Sequence, residues 1–297
     1  MSNFKSGFVS IIGRTNVGKS TLINSLAHEK IAITANKSQT TRTAIRAIIN
    51  RENSQIIFID TPGIHKPQDK LGKYLNKQSY ESLEDVDAIL FVVDATSIPG
   101  KGDKFIIETF KNIETPVILV LNKIDKLNDE GILRAINAYK DLYNFSDIIP
   151  ISALKDDNTK RLIKILKGYL TDEIKYYDDG TFTNTSLQFM LGEFVREKIL
   201  NLTNEEVPHS VTCVATHLQD KGNIIEVYVD IIIDRNSLKK IIIGSGGSML
   251  KQIGSLARKD MEDLLGKQVY LELYVKTIKN WRDKERYLSE LGFKDFE

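Results

Sequence analysis

The segment Gly13-Arg14-Thr15-Asn16-Val17-Gly18-Lys19-Ser20 constrains this chain more than any other. It fits the pattern G-x-x-x-x-G-K-[ST], which works only between a buried strand and the first turn of a helix. An apolar run at 8–12 precedes it, and Leu22 and Leu26 come after it at helical spacing. Glycines let backbone N–H groups turn toward an anion, the lysine reaches the β- and γ-phosphates, and the serine hydroxyl is a ligand for Mg²⁺. Residues 13–20, with Thr21 behind them, therefore read as a cradle for the phosphates of a nucleotide.

Beyond the cradle a strand–helix rhythm repeats. Runs at 44–49 and 54–59 flank Arg51-Glu52-Asn53 and read as a hairpin. Non-alternating apolar runs at 88–93, 117–121 and 147–151 are spaced by helical stretches at 103–112, 130–143 and 157–170. Strands of this kind are buried on both faces, which predicts an α/β fold around a mainly parallel six-stranded sheet with ligands at the strands' C-terminal ends.

Three further pieces fall at such ends. In Asp60-Thr61-Pro62-Gly63, Asp60 is placed to hold Mg²⁺ directly or through water, Gly63 offers an N–H to the γ-phosphate, and Ile64 comes next. In Asn122-Lys123-Ile124-Asp125, the Asp125 carboxylate can accept two hydrogen bonds from N1–H and the exocyclic amine of guanine, which adenine cannot supply. Ser152-Ala153 ends the last run, with backbone N–H groups for the guanine O6. Each piece alone is a common loop; four in order are specific to a guanine nucleotide.

Periodicity lapses at 173–184, and a different pattern begins beyond it. The expected division is 1–172, a linker at 173–184, and an α+β domain at 185–297. That second domain reads as a helix at 186–201, strands at 210–218 and 224–233, two helices, and a strand with Val269, Leu271, Leu273 and Val275 inward. In 224–233 apolar and polar residues alternate, which predicts one buried face. Between the two helices lies Ile243-Gly244-Ser245-Gly246-Gly247, a G-x-x-G turn of the kind that clamps a nucleic-acid backbone. Leu250, Ile253, Ala257, Met261 and Leu264 then keep core spacing, with Lys251, Ser255, Arg258 and Lys259 on other faces.

The whole chain carries a formal net charge of +1, so any nucleic-acid affinity must come from a local cluster. One exists: Arg235, Lys239, Lys240, Lys251, Arg258, Lys259, Lys267, Lys276, Lys279 and Arg282 face only Asp260, Glu262, Asp263 and Glu272 over 235–282. Tyr270, Tyr274 and Trp281 are candidates for stacking on unpaired bases. A single cysteine, Cys213, excludes an internal disulfide. No apolar run approaches the ~18 residues of a membrane helix, and 1–12 lacks the core of a secretion signal. A cytoplasmic chain is expected.

Residues 1–172 resemble a translation-factor-class P-loop GTPase, with Gln39-Thr40-Thr41-Arg42 similar to its switch I element. The helix–strand–strand–helix–helix–strand order beyond it resembles a type II KH domain. With Lys279-Asn280-Trp281-Arg282-Asp283 near the end, the chain resembles the Era family of bacterial GTPases over nearly its whole length. The resemblance implies GTP hydrolysis with Ser20, Asp60 and Thr41 (or Thr40) around Mg²⁺, and Asn16, Lys19, Thr41 and Gly63 as catalytic groups. Ile64 stands where the best-known small GTPases have a water-orienting Gln, which implies slow turnover. Asn16 either helps hold K⁺ or only tolerates the turn, and His65 is expected to be idle. The second domain would bind the single-stranded 3′ region of 16S rRNA through Lys239, Lys240, 243–247, Lys251, Arg258, Lys276, Lys279 and Arg282. GTP would gate that binding during assembly of the 30S subunit. The family implies loose inner-membrane association, for which this sequence offers no lipid anchor or strongly amphipathic basic helix, and a monomer is expected. Ser245 replaces the Lys usual in the G-x-x-G turn, which leaves open a domain that binds protein rather than RNA.

Overall fold

The run before the cradle is strand β1 (Lys5–Ile12), and the reason is burial: Val9, Ile11 and Ile12 are wholly inaccessible, each contributing about 1.5–3 kcal/mol as apolar burial. The computed structural model describes residues 4–35, 37, 40–64, 67 and 69–293. By contacts the chain divides into two units, 1–32 with 41–66 and 75–184, and 33–40 with 67–74 and 185–297.

In the first unit, β1 is followed by α1 (Lys19–Ala27), β2 (Ile45–Arg51), β3 (Ser54–Asp60), α2 (Lys70–Glu81, whose first turns group with the other unit), β4 (Ala88–Asp94) and α3 (Lys101–Thr109). Then come β5 (Val117–Asn122), α4 (Asp129–Tyr139), β6 (Asp147–Pro150) and α5 (Thr159–Leu166). The six strands order β2-β3-β1-β4-β5-β6, with only the β2–β3 pair antiparallel. Apolar clusters fill both faces, one around Leu22, Phe58 and Leu162, the other around Phe91, Phe110 and Tyr139. The chain leaves β1 first to one side and then to the other, so the strand order reverses at β1, the place where such sheets bind ligands. Register brings the motif-bearing ends together: Ile11 lies beside Asp60, Asp94 beside Asn122, and Leu121 beside Pro150.

Helix α2 is not among the helical stretches expected above; Asn76, Gln78 and Ser79 interrupt its apolar period. Residues 173–184 run along the first unit, with Thr183 bridging Ala47 and the Gln55 carboxamide holding Tyr176 and Tyr177 N–H at 2.9 and 3.0 Å.

The second unit contains α6 (Leu187–Leu202), α7 (Val207–Ser210), β7 (Val211–Asp220), β8 (Ile224–Ile233), α8 (Asn236–Ile243), α9 (Ser248–Leu265), β9 (Gln268–Thr277) and α10 (Glu285–Glu290). Its sheet orders β7-β8-β9, with β7–β8 antiparallel and β8–β9 parallel. Ser186 caps α6 by accepting from Phe189 N–H at 3.3 Å. Thr34 and Thr40 are held on α6: Arg196, ion-paired with Glu193, donates to the Thr40 carbonyl, and Glu197 accepts from Thr34 N–H at 2.9 Å.

Two expectations change here. Alternation in β8 fails at its end, where Asp230 and Ile232 are buried along with Ile231 and Ile233. There Asp230 accepts from Lys276, and the chain beyond β9 stays on this end, with Ile278 N–H donating to the Ile233 carbonyl at 2.9 Å and Trp281 Nε1 to the Ser210 carbonyl at 3.1 Å. In α9, Ile253, Ala257 and Met261 enter the core, but Leu264 is exposed and Leu265 beside it packs on the core instead. Among the described residues no helix is long and apolar enough to cross a membrane.

Candidate functional site

The cradle closes through glycine. Gly18 caps α1 at φ +100°, and a Cβ there would lie 2.3 Å from Asn122 Nδ2. That amide donates to the Val17 carbonyl at 2.8 Å, while Asn122 Oδ1 accepts from Ala153 N–H at 3.0 Å. Gly63 is equally tight, with a Cβ position 2.9 Å from Thr15 N. Lys19 Nζ points into its own loop, donating to the Gly13 and Arg14 carbonyls, both at 3.1 Å.

Ser20, Thr41 and Asp60 converge. Ser20 Oγ lies 3.0 Å from Thr41 Oγ1 and 3.0 Å from Asp60 Oδ2, and Thr41 Oγ1 lies 3.4 Å from the same oxygen. Thr40 turns elsewhere, its hydroxyl on the Lys37 carbonyl at 2.7 Å. Burial pushes the Asp60 carboxyl up to about 6, against the opposing pull of Lys19 and the two hydroxyls. Burial likewise lowers Lys19 to about 8, with Asp60 opposing. Asp60 Oδ1 is buried and has no hydrogen-bond partner among the described residues. A buried, unsatisfied carboxylate oxygen beside two hydroxyls is a set of hard oxygen donors that fits Mg²⁺. Thr61 hydrogen-bonds the Ile11 carbonyl at 2.8 Å, the Pro62 carbonyl accepts from Ser79 at 2.7 Å, and Ile64 is buried.

The Asn122–Asp125 turn is looser. Asp125 is exposed, with one oxygen accepting from Ser152 Oγ at 2.6 Å. Ile124 comes after Lys123, whose backbone sits at φ +70°. Ser152 N–H donates to the Asp157 carbonyl at 3.1 Å and Ala153 N–H to Asn122, so both are engaged within the protein. As built, this turn frames Asn122 and Asp125 and leaves no donor from Ser152 or Ala153 for a base oxygen.

In the second unit, α9 and β9 wall a groove of about 1030 Å³. Its floor is Leu250, Gly254, Leu271 and Leu273, and its rim includes Gly247, Lys251, Ser255 and Arg258. The turn feeding it has Gly244, Gly246 and Gly247 at positive φ, with Ser245 exposed between them. Lys239, Lys240 and Lys279 are exposed and Ile243 is half-buried. Other expected contacts are already committed: Lys276 pairs with Asp230 at 2.5 Å, and Arg282 bridges Asp69 at 3.0 Å and Asp234 at 3.2 Å. Tyr270 and Tyr274 are exposed, but Trp281 is a core residue with no accessible surface, stacked on Phe293. Gln39 and His65 lie outside the described residues.

Sequence reasoning overlooked Asp94 and Asp103. Asp94 receives Lys123 Nζ at 2.7 Å, and the same ammonium reaches the Asn16 carbonyl at 2.7 Å. Burial alone would raise Asp94, but hydrogen bonds from Lys123 and Thr96 outweigh it and hold the carboxyl below its usual range. Asp103 pairs with Arg14 at 3.0 Å. Neither aspartate sits in a motif; only the strand-end position of Asp94 could have marked it.

A cradle after β1, a buried Asp–Ser–Thr cluster, an NKxD turn and a separate helix-walled groove behind a G-x-x-G turn define a P-loop GTPase with a KH domain. Family profiles agree, matching a 50S ribosome-binding GTPase over residues 8–123 and a KH domain over 206–282. Among solved structures, Era in complex with MgGDPNP and nucleotides 1506–1542 of 16S ribosomal RNA is 39% identical, with a TM-score of 0.95 over 98% of this chain and 100% of that one. A point-substituted Aquifex aeolicus Era bound to GDP·AlF₄⁻ is 38% identical, also with a TM-score of 0.95, over 98% and 100%. The chain belongs to the Era family of GTPases.

Proposed function

We propose that this protein is a slow, Mg²⁺-dependent GTPase switch whose GTP-bound form binds the 3′ region of small-subunit rRNA and assists 30S subunit assembly. The observation that carries this is the 39% identity, along 98% of the chain, to an Era captured with a GTP analogue and that RNA segment.

In this reading the N–H groups of 13–18 and Thr21 receive the phosphates, Lys19 neutralises the β/γ-oxygens, and Asp125 selects guanine. Ser20, Thr41 and Asp60 would hold Mg²⁺, which supplies charge for the phosphoryl oxygens when bound. Gly63 lets its turn approach the cradle to meet the γ-phosphate. Ile64 is buried and apolar, so it orients no water. Asn16, exposed and at φ +65° in the loop, is the K⁺ ligand in this reading. Equal hydrolysis rates in K⁺ and Na⁺ would remove that role.

RNA would lie along the groove, its backbone against 243–247 and the charges of Lys239, Lys240, Lys251, Arg258 and Lys279. Lys276 and Arg282 contribute less, since each already holds a carboxylate. The test is binding of an oligonucleotide with the 3′-terminal 16S sequence to the full chain, loaded with a GTP analogue or GDP. Tighter binding with the analogue is expected, and equal affinity refutes gating. The exposed Ser245 favours a second reading, a protein-binding KH-like domain; RNA binding too weak to show any salt dependence would select it.

A further inference from the structure

The phosphate cradle is held from both sides, and one of the holds belongs to no known motif. On one side, Asn122 and Lys123 grip the Val17 and Asn16 carbonyls. On the other, the Arg14 guanidinium crosses to α3, where Nη1 meets Asp103 Oδ2 at 3.0 Å. The crossing is tight: a Cβ on Gly102 would lie 3.0 Å from Arg14 Cδ and 3.1 Å from Nε. Arg14 is 44% exposed at its side chain, but the Asp103 side chain is only 2% exposed. That carboxylate is itself immobilised. The same Oδ2 accepts from Gly100 N–H at 2.8 Å, and the buried Tyr139 hydroxyl at the end of α4 hydrogen-bonds to the Asp103 side chain. Burial and the neighbouring carboxylate keep the Tyr139 phenol protonated and therefore a donor.

We propose that Asp103 and Tyr139 act through Arg14 as positioning residues for nucleotide binding, fixing the 13–18 loop in its anion-accepting shape. The physical reason lies in the loop backbone. Asn16 at φ +65° and Gly18 at φ +100° hold left-handed conformations that a free loop leaves readily. Donors aimed at phosphate are effective only when they need no reordering at the moment of binding. An ordinary helix cap would not need a buried acid, a buried phenol and a glycine bed for an arginine stem. Without Asp103 the residue 14 end of the loop is held only from within, by Lys19 Nζ on the Gly13 and Arg14 carbonyls, the same ammonium that must serve phosphate.

This inference rests on the reading of 13–20 as the phosphate site, and the experiment separates the two. The full chain is loaded with a fluorescent GDP analogue, and its release rate and the melting temperature are measured for wild type, Arg14→Ala, Asp103→Asn, Tyr139→Phe and the Arg14→Ala/Asp103→Asn double variant. Release is expected to quicken about tenfold for Arg14→Ala and Asp103→Asn and about threefold for Tyr139→Phe, because a charge-assisted pair is partly screened at this exposure. The double variant should release no faster than the worse single one, and Arg14→Lys should recover part of the loss. The preference for GTP over ATP, set by Asp125, should stay within about twofold of wild type throughout. Release at the wild-type rate, or additive effects of Arg14 and Asp103, overturns the brace while leaving the nucleotide site standing. A wild-type chain that fails to retain the analogue at all overturns the parent reading and the brace with it.

Discussion

The two functional regions of this protein solve opposite problems. Around the phosphate cradle the charged groups are buried: Asp60 has no accessible surface, Lys19 is 7% exposed, and both have titration points moved by burial. Along the KH groove the charges lie outside. Lys251 and Arg258 are exposed on the rim, and the floor is aliphatic. In a water-poor pocket each fixed donor acts at full strength, and its loss is nearly all-or-none. On an open rim each cation competes with water and salt, so recognition is spread over many weak contacts. Under the proposed function, one chain selects a small, highly charged ligand by preorganisation and a long, flexible one by accumulated surface.

The comparison breaks most visibly at Asp125, the exposed member of the nucleotide site. Asp125→Ala should erase a preference for GTP over ATP on the order of 10⁴, since a site built for hydrogen bonds rejects the analogue lacking them by about that much. Competition binding against a fluorescent GTP reads it. A preference below tenfold in the wild type would show that exposure has already weakened this contact.

Next in size is the pH response of the buried pair. Mg²⁺ needs Asp60 ionised, and its titration point is raised to about 6, so affinity for Mg·GDP should fall as pH drops through that value. Lys19, lowered to about 8, must be protonated to meet phosphate, so affinity should also fall as pH rises through 8. Calorimetry should find a maximum between the two values and about a tenfold loss one pH unit outside either, as binding linked to one proton requires. Asp60→Asn should flatten the acid limb. A profile flat from 5 to 9 would mean the pair is not buried as described.

The smallest effect lies on the open side. Lys251→Ala should weaken RNA binding about threefold to tenfold and reduce the slope of log affinity against log salt by about 1. Lys276→Ala should change that slope less, because its ammonium already pairs with Asp230. Equal slopes for the two variants would place the RNA across the sheet rather than in the groove.

The legible part of the site was the part carried by short stretches of backbone. Residues 13–20, 60–63 and 122–125 each place their functional groups within one turn, so spacing alone revealed them. Thr41 was separated from Thr40 only by the fold, which turned one hydroxyl to Ser20 and the other to Lys37. Arg14 and Asp103 are 89 positions apart, and no pattern in sequence links them. Trp281 was a candidate for base stacking on the strength of its basic neighbours, but the fold buries it on Phe293 and hydrogen-bonds it to Ser210, 71 positions away.

By itself the sequence determined the parallel sheet with its nucleotide loop, the Asn122–Asp125 turn at a strand end, and a second α+β domain with a glycine turn. Each arises from local chemistry: apolar runs that must be buried, glycines that permit positive φ, and carboxylates at strand ends. Tertiary structure alone decided which charges are paired with carboxylates, as Lys276 and Arg282 are, and it alone grouped 33–40 and 67–74 with the C-terminal unit. Burial and pairing are sums over residues distant in the chain, and only the folded arrangement fixes which of them meet.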